Sequence, residues 1–133
     1  MPATRHRRRG RGDLGALTLS YVIIVPVFLA AVMVIVQTSL WYLARQAALA
    51  AARQGADAAR VLNAPLNSGP STALAFARTS ASGYLLGPTA STAGSSQGTV
   101  EVTVTGQAPS LMPGIVIKVT QVARAPVEQF TTP

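Results

Sequence analysis

The side chains that most often carry out catalysis are few in this chain and lie far apart in sequence. Its acids are Asp13, Asp57, Glu101 and Glu128, and its one histidine, His6, lies in an arginine-rich N-terminus. General acid–base and nucleophilic catalysis need such groups within hydrogen-bonding reach of one another. The absence of cysteine excludes thiol chemistry, disulfides and cysteine-based metal sites. We therefore predict a protein that is not an enzyme and uses neither a metal nor a cofactor.

A cluster of arginines is the main charge feature of the sequence. Its members precede a long uncharged apolar run, and they are Arg5, Arg7, Arg8, Arg9 and Arg11. The net charge of +7 allows a nucleic-acid hypothesis, which predicts salt-sensitive DNA affinity that is lost when residues 1–12 are deleted. No aromatic residue lies among the arginines to stack on bases. We favour a topology signal that holds the N-terminus in the cytoplasm, and predict no nucleic-acid partner.

The apolar run itself predicts one membrane-spanning helix. No charged residue occurs from Leu14 to Ala44, and about twenty helical residues cover the ~30 Å hydrocarbon core of a bilayer. Trp41 and Tyr42, followed by Arg45, are typical of the aromatic belt and charged stop at the far interface. We predict a single-pass protein of the cell membrane with lipid as a partner, its N-terminus cytoplasmic and its C-terminus extracytoplasmic.

Two other features of this region leave alternatives open. A cleaved secretory signal has an apolar stretch of only about 7–15 residues, and the candidate small-residue cleavage sites here lie beyond Trp41 and Arg45. Gln37, Thr38 and Ser39 follow the apolar run. We interpret these three as residues at interfacial depth, in preference to residues that form helix–helix hydrogen bonds.

Two helical segments are predicted after the membrane. The alanine-rich stretch from Leu43 continues the first helix to about Leu62, with its alanine face free to approach a partner helix or sheet closely. Pro65 then stops it. A second helix is predicted from a cap at Ser71 to about Leu86.

The C-terminal part of the chain predicts a short loop-and-strand region. Residues 87–98 are rich in Gly, Ser, Thr and Pro and are predicted to form an exposed loop. Strict alternation from Thr99 to Thr105 predicts a strand with its valines on one face, and residues 115–122 predict a second strand. The two should pair antiparallel and need a covering helix or a neighbouring subunit, because an isolated hairpin is only marginally stable in water.

The sequence resembles the TadE-like family, the pilin-like proteins of the tight-adherence pilus machinery. The resemblance is carried by the segment from Gly15 to Pro26 and by the segment from Trp41 to Arg60. The segments 102–114 and 126–130 also look familial. The resemblance implies a type IV pilin-like architecture and, as partners, other pilin-like subunits and pilus assembly proteins.

The resemblance further implies processing by a prepilin-type peptidase. The leader would be cut after Gly15, which leaves Ala16 as the new N-terminus; Gly10 and Gly12 are alternative boundaries because each follows an arginine. Ser20 occupies the position of the family glutamate, whose carboxylate pairs with the new amino group of a neighbouring subunit in pilins. Serine cannot form this ion pair, so either processing proceeds without it or the chain remains an unprocessed membrane-bound accessory.

Together these observations predict a membrane-anchored α+β protein with a pilin-like fold. Its parts are a basic cytoplasmic leader (1–15), a transmembrane helix (16–43), an emergent helix (44–62) and a small extracytoplasmic α+β region (63–133). The predicted function is that of a minor pilin-like protein in assembly of a tight-adherence pilus or a related secretion apparatus. The alternative is a single-pass anchor or adaptor whose extracytoplasmic domain binds a protein partner without entering a filament.

Overall fold

The computed structural model describes residues 12–61, 63–65 and 67–129, with side chains described from Ser20 onward. In chain order the elements are α1 (Gly12–Ala59), α2 (Ser68–Ser80), β1 (Leu86–Ser91), β2 (Thr99–Ala108) and β3 (Ile117–Pro126). The chain divides into two units, Met1–Ile35 and Val36–Pro133. The predicted α+β class is confirmed: a long N-terminal apolar helix, a second helix and a C-terminal antiparallel sheet are all present.

Helix α1 contains 48 residues and includes Pro26. Its C-terminal end at Ala59 precedes the predicted end near Leu62, a residue that lies outside the described part of the chain. Beyond the helix, Asn63 adopts a left-handed conformation with φ 64°. Asparagine tolerates this conformation better than most residues, so the chain turns here before it reaches the proline that the sequence marked as the stop.

Helix α2 begins at Ser68, three residues before the predicted cap at Ser71. The first turn of a helix accommodates Pro70 because its missing N–H would have no partner within the helix there. The hydroxyl of Ser71 donates instead to the carbonyl oxygen of Ser68 at 3.0 Å, inside the first turn. The predicted start was therefore wrong because the turn-forming residues before Ser71 themselves belong to the helix.

The predicted end of α2 and the predicted loop after it also need correction. The helix ends at Ser80, and the N–H of Leu85 then bonds the carbonyl oxygen of Ala81 at 2.9 Å, which turns the buried Leu85 into the core. Strand β1 follows within the stretch predicted to be loop. It pairs antiparallel with β2 through a register irregularity between Leu86 and Thr89. An edge strand accepts proline at such an irregularity, which is why a Gly- and Pro-containing stretch can form a strand here.

The three-stranded sheet has the order β1-β2-β3, with both pairs antiparallel. The predicted pairing of the two later strands is confirmed, from Thr99 opposite Pro126 to Ala108 opposite Ile117. Both strands extend beyond their predicted ends, since β2 reaches Ala108 and β3 reaches Pro126. Tertiary pairing thus adds residues that the local alternation did not include.

One face of the sheet forms the core of the Val36–Pro133 unit. Val100, Val102 and Val104 are buried on this face, as their alternation predicted. The other face is polar: the hydroxyls of Thr105 and Thr120 lie 3.2 Å apart on neighbouring strands. The core is built largely from alanine and valine, and its buried residues on α1 are Ala44, Ala48, Ala51, Ala52 and Ala56. The predicted alanine face of α1 is thereby confirmed as a packing surface.

Candidate membrane and assembly segment

The sequence-predicted site residues lie along α1 or before it. Gly15 and Ala16 belong to the helical backbone of α1, and Ser20 is an exposed residue of the same helix. The arginines of the leader, Arg5, Arg7, Arg8, Arg9 and Arg11, lie outside the described residues. Within α1, the predicted cleavage site and the position of the family glutamate are thus separated by about one helical turn.

The part of α1 that follows Ser20 has the length and composition of a membrane span. Its most apolar 18-residue window has a mean hydropathy of 2.5, and none of that window is buried within the protein. Tyr21, Phe28 and Ile35 leave 64%, 64% and 65% of their surface exposed. A helix that is apolar and unburied requires an apolar environment from outside the chain. This helix fits a single-pass membrane anchor.

The predicted interface belt lies at the start of the Val36–Pro133 unit. Trp41 and Tyr42 are both exposed, and the guanidinium carbon of Arg45 lies 5.7 Å from the centroid of the Trp41 ring. This distance allows a cation–π interaction, which has an energy of about 0.5–1 kcal/mol at an exposed site. The structure thus brings Trp41 and Arg45 together, as expected for an aromatic ring and a cation at the same interfacial depth.

A close crossing between α1 and α2 positions the later part of α1. A Cβ atom built on Gly55 would lie 2.6 Å from the carbonyl oxygen of Gly69 and 2.9 Å from the Cβ of Ala73. The same added atom would lie 3.1 Å from the nearer methyl group of Val102 on β2. Only glycine permits this approach. The alanine face was predicted from the sequence, whereas this glycine pair was not.

The C-terminal end of α1 is held by the start of α2 and by the end of the chain. The Ser68 hydroxyl donates to the carbonyl oxygen of Ala58 at 3.5 Å, and the N–H of Glu128 donates to the carbonyl oxygen of Arg60 at 3.0 Å. The Arg60 side chain contacts Asp57 at 3.2 Å and Glu128 at 3.9 Å. Carbonyls that a helix leaves without internal partners are thereby satisfied.

Gln37 makes a contact that was not predicted from the sequence. Its Nε2 donates to the carbonyl oxygen of Pro109 at 3.1 Å, and its Oε1 accepts from the N–H of Leu111 at 3.0 Å. One side-chain amide therefore holds both sides of a backbone bend in the β2–β3 connection. Neither interpretation of Gln37, interfacial depth or helix–helix hydrogen bonding, included this loop. The position of Gln37 directly after the apolar run suggested a role for its side chain but did not indicate the partner.

The described carboxylates form ion pairs with arginines. Glu101 pairs with Arg124 across β2 and β3, whereas Asp57 and Glu128 both contact Arg60. Among residues whose side chains are described, no group of three or more His, Cys, Asp or Glu side chains is placed to hold a metal ion.

Most of helix α1 is similar to a known protein family. Residues 15–57 match the family model described as TadE-like protein. We call residues 15–57 the TadE-like segment because of this similarity. The match begins at Gly15, ends two residues after Gly55, and confirms the suspected TadE-like resemblance over this part of the chain. The segments 102–114 and 126–130 lie outside it. No curated protein and no solved structure matches the chain.

The TadE-like segment corresponds almost completely to α1. It contains the exposed apolar stretch, the Trp41–Arg45 pair and the alanine face that packs on the sheet. The similarity of this segment to the family suggests involvement in a function related to the tight-adherence pilus, and association with pilus assembly components at a coarse level.

Proposed function

We propose that this protein is a minor pilin-like membrane protein that takes part in assembly of a tight-adherence pilus or a related secretion apparatus. The observation that carries the proposal is the coincidence of the TadE-like match with an apolar helix left unburied by its own chain. Such a helix can be surrounded by lipid before assembly and by other apolar helices afterwards. The role is structural and includes no catalytic step.

The proposed topology follows from charge and length. The arginine-rich leader, residues 1–15, lies in the cytoplasm, because positively charged flanks are retained on that side. Residues 16–43 span the membrane, residues 44–62 emerge from it, and residues 63–133 form the extracytoplasmic region. A prepilin-type peptidase would cut between Gly15 and Ala16 on the cytoplasmic side. The remaining helix would then serve as anchor and, after extraction, as a packing surface for other pilin-like subunits.

Ser20 supports a second candidate function. Its position corresponds to that of the glutamate that pairs with the amino group of a neighbouring pilin subunit. Loss of one partner of an ion pair costs most free energy where water is excluded. Serine provides no carboxylate. A permanent single-pass anchor or adaptor, with its sheet region bound to a protein partner, requires no such pair. The two functions differ in whether α1 contacts other pilin-like helices.

Photo-crosslinking from α1 tests this difference. We expect a benzoylphenylalanine at Phe28, which is 64% exposed, to form adducts with other pilin-like chains in native membranes that contain the assembly apparatus. A matched probe at Gln97, an exposed residue of the β1–β2 connection, is the control for adducts made by the sheet region. Adducts from Gln97 alone would contradict the pilin-like role and favour the adaptor.

A further inference from the structure

The β2–β3 connection, residues 109–116, exposes a group of large apolar side chains at its tip. Leu111, Met112, Ile115 and Val116 leave 46%, 41%, 45% and 61% of their surfaces exposed. Single exposed apolar residues are ordinary, but four large ones within six consecutive residues indicate an interaction surface. We name residues 111–116 the apolar loop.

The apolar loop is fixed at the level of α1 where the apolar run ends. Gln37, whose amide bonds both Pro109 and Leu111, directly follows Val36 in the sequence. Trp41 lies four residues further, which is about 6 Å along a helix. The base of the loop is therefore held at Gln37, four residues before Trp41 of the aromatic belt. This is the depth of a membrane–water interface.

Three of the five backbone N–H groups of the apolar loop, those of Leu111, Met112 and Ile115, have acceptors within the chain. The N–H of Met112 donates to the Ser110 hydroxyl at 3.2 Å, and the N–H of Ile115 approaches the carbonyl oxygen of Met112 at 3.4 Å. Pro113 has no N–H, and Gly114 provides the turn with φ 82°. Each unpaired backbone N–H or C=O group adds to the cost of moving a loop out of water. The three bonds and the proline lower that cost for this loop.

Charge is distributed so that this end of the unit suits an anionic surface. Lys118 is exposed at the start of β3, and Arg45 lies over Trp41. By contrast, Glu101 is seven residues along β2 from Ala108, about 23 Å from the loop end of the strand. The other two described carboxylates, Asp57 and Glu128, contact Arg60 at the C-terminal end of α1.

We propose that the apolar loop inserts into the interfacial layer of the lipid bilayer and that Gln37 holds it there. The sheet region would then be attached to the membrane at two places, α1 and the loop, with Lys118 and Arg45 beside lipid phosphates. This inference goes beyond the proposed function. It rests on α1 spanning the membrane, and requires neither leader cleavage nor entry into a filament.

Fluorescent reporters on the full chain test the insertion. The chain contains no cysteine, so Met112→Cys, Gln97→Cys and Leu29→Cys each give a single site for an environment-sensitive dye. The variants are placed at high dilution in phosphatidylcholine–phosphatidylglycerol vesicles that contain a lipid quencher near the headgroups. We expect the dye at position 112 to be quenched severalfold more than the dye at position 97, which lies in the β1–β2 connection.

The Leu29 reporter separates failure of this inference from failure of the membrane anchor. If the dye at position 112 is quenched no more than the dye at position 97, while the dye at position 29 is shielded from water in the bilayer, the loop does not insert. This result would overturn the inference about the loop and leave the membrane anchor in place. A water-exposed Leu29 would overturn the anchor and the loop together. A Met112 signal that appears only at high protein density would show that a second copy covers the loop, and would equally overturn lipid contact.

Gln37→Ala tests the role assigned to that side chain. The variant removes both hydrogen bonds to the loop while it leaves the four apolar side chains in place. We expect quenching of the Met112 reporter to fall toward the value for Gln97. Quenching equal to that of the parent chain would overturn the assignment of Gln37 as the residue that holds the loop. Gln46→Ala, at an exposed position of the same helix, is the matched control and should change nothing.

Discussion

Replacement of Val32 by arginine is expected to remove most of the chain from the membrane. Val32 lies within the exposed apolar stretch of α1 and outside the Val36–Pro133 unit. A charge at the centre of a membrane helix costs about 2.5–3.5 kcal/mol on insertion scales. This corresponds to a decrease in the insertion equilibrium of roughly 60- to 400-fold. The measurement is the fraction of full-length protein that resists alkaline extraction from membranes.

The matched control for this prediction is Val32→Leu, which keeps the position apolar and should integrate as the parent does. Because the substitution lies outside the sheet-containing unit, loss of integration would not be a consequence of a damaged core. Normal integration of Val32→Arg would contradict the placement of the membrane span at this part of α1. A cleaved signal peptide gives a different result, since its mature chain would appear without the residues that bear the substitution.

The second large effect is expected at the glycine crossing. Gly55→Val would place side-chain atoms where the carbonyl oxygen of Gly69 and the Cβ of Ala73 already lie within 3 Å of an added Cβ. Overpacking of this kind typically costs about 1–3 kcal/mol and occasionally more. Valine has a higher helix propensity than glycine, by about 0.4 kcal/mol. The cost of the clash exceeds this gain, so we expect Gly55→Val to lower the free energy of unfolding.

Hydrogen exchange of the β2 amides in the full chain, held in lipid nanodiscs, measures this loss. We expect the free energy of opening of β2 to fall by about 3 kcal/mol, at the upper end of the range for overpacking, because the obstacle includes backbone that cannot move without α2. Gly83→Val is the matched control: an added Cβ there meets nothing within 4 Å. Equal protection in the two variants would contradict a tight α1–α2 crossing.

Local pattern was sufficient to predict the elements whose periodicity is unbroken. The uncharged run and the alanines after it predicted α1, and the alternating valines predicted β2 together with its buried face. The boundaries failed where tertiary contacts outweigh local preference. Strand β1 contains Gly87 and Pro88, which are unfavourable in a strand, yet the free edge of β2 provides hydrogen bonds that compensate. No feature of residues 87–98 alone contains that information.

The contacts that position the candidate segment were less accessible from the sequence. Gln37 bonds a loop more than seventy residues away, and nothing in either segment specifies the other. The pairing of Gly55 with Gly69 was equally hard to predict, because a single glycine in a helix indicates only a lower helix propensity. Only the small size of the neighbouring alanines indicated that two backbones would approach closely there. Sequence therefore predicted the surfaces and not their partners.

The intact mass and N-terminal sequence of the protein from its native membrane test the central claim most directly. The pilin-like account predicts a chain that begins at Ala16 and retains α1. A chain that keeps its arginine leader would contradict prepilin-type processing and would favour the permanent single-pass anchor. A chain that begins beyond Ala44 would contradict both, because the apolar helix would then have been a signal peptide rather than an anchor.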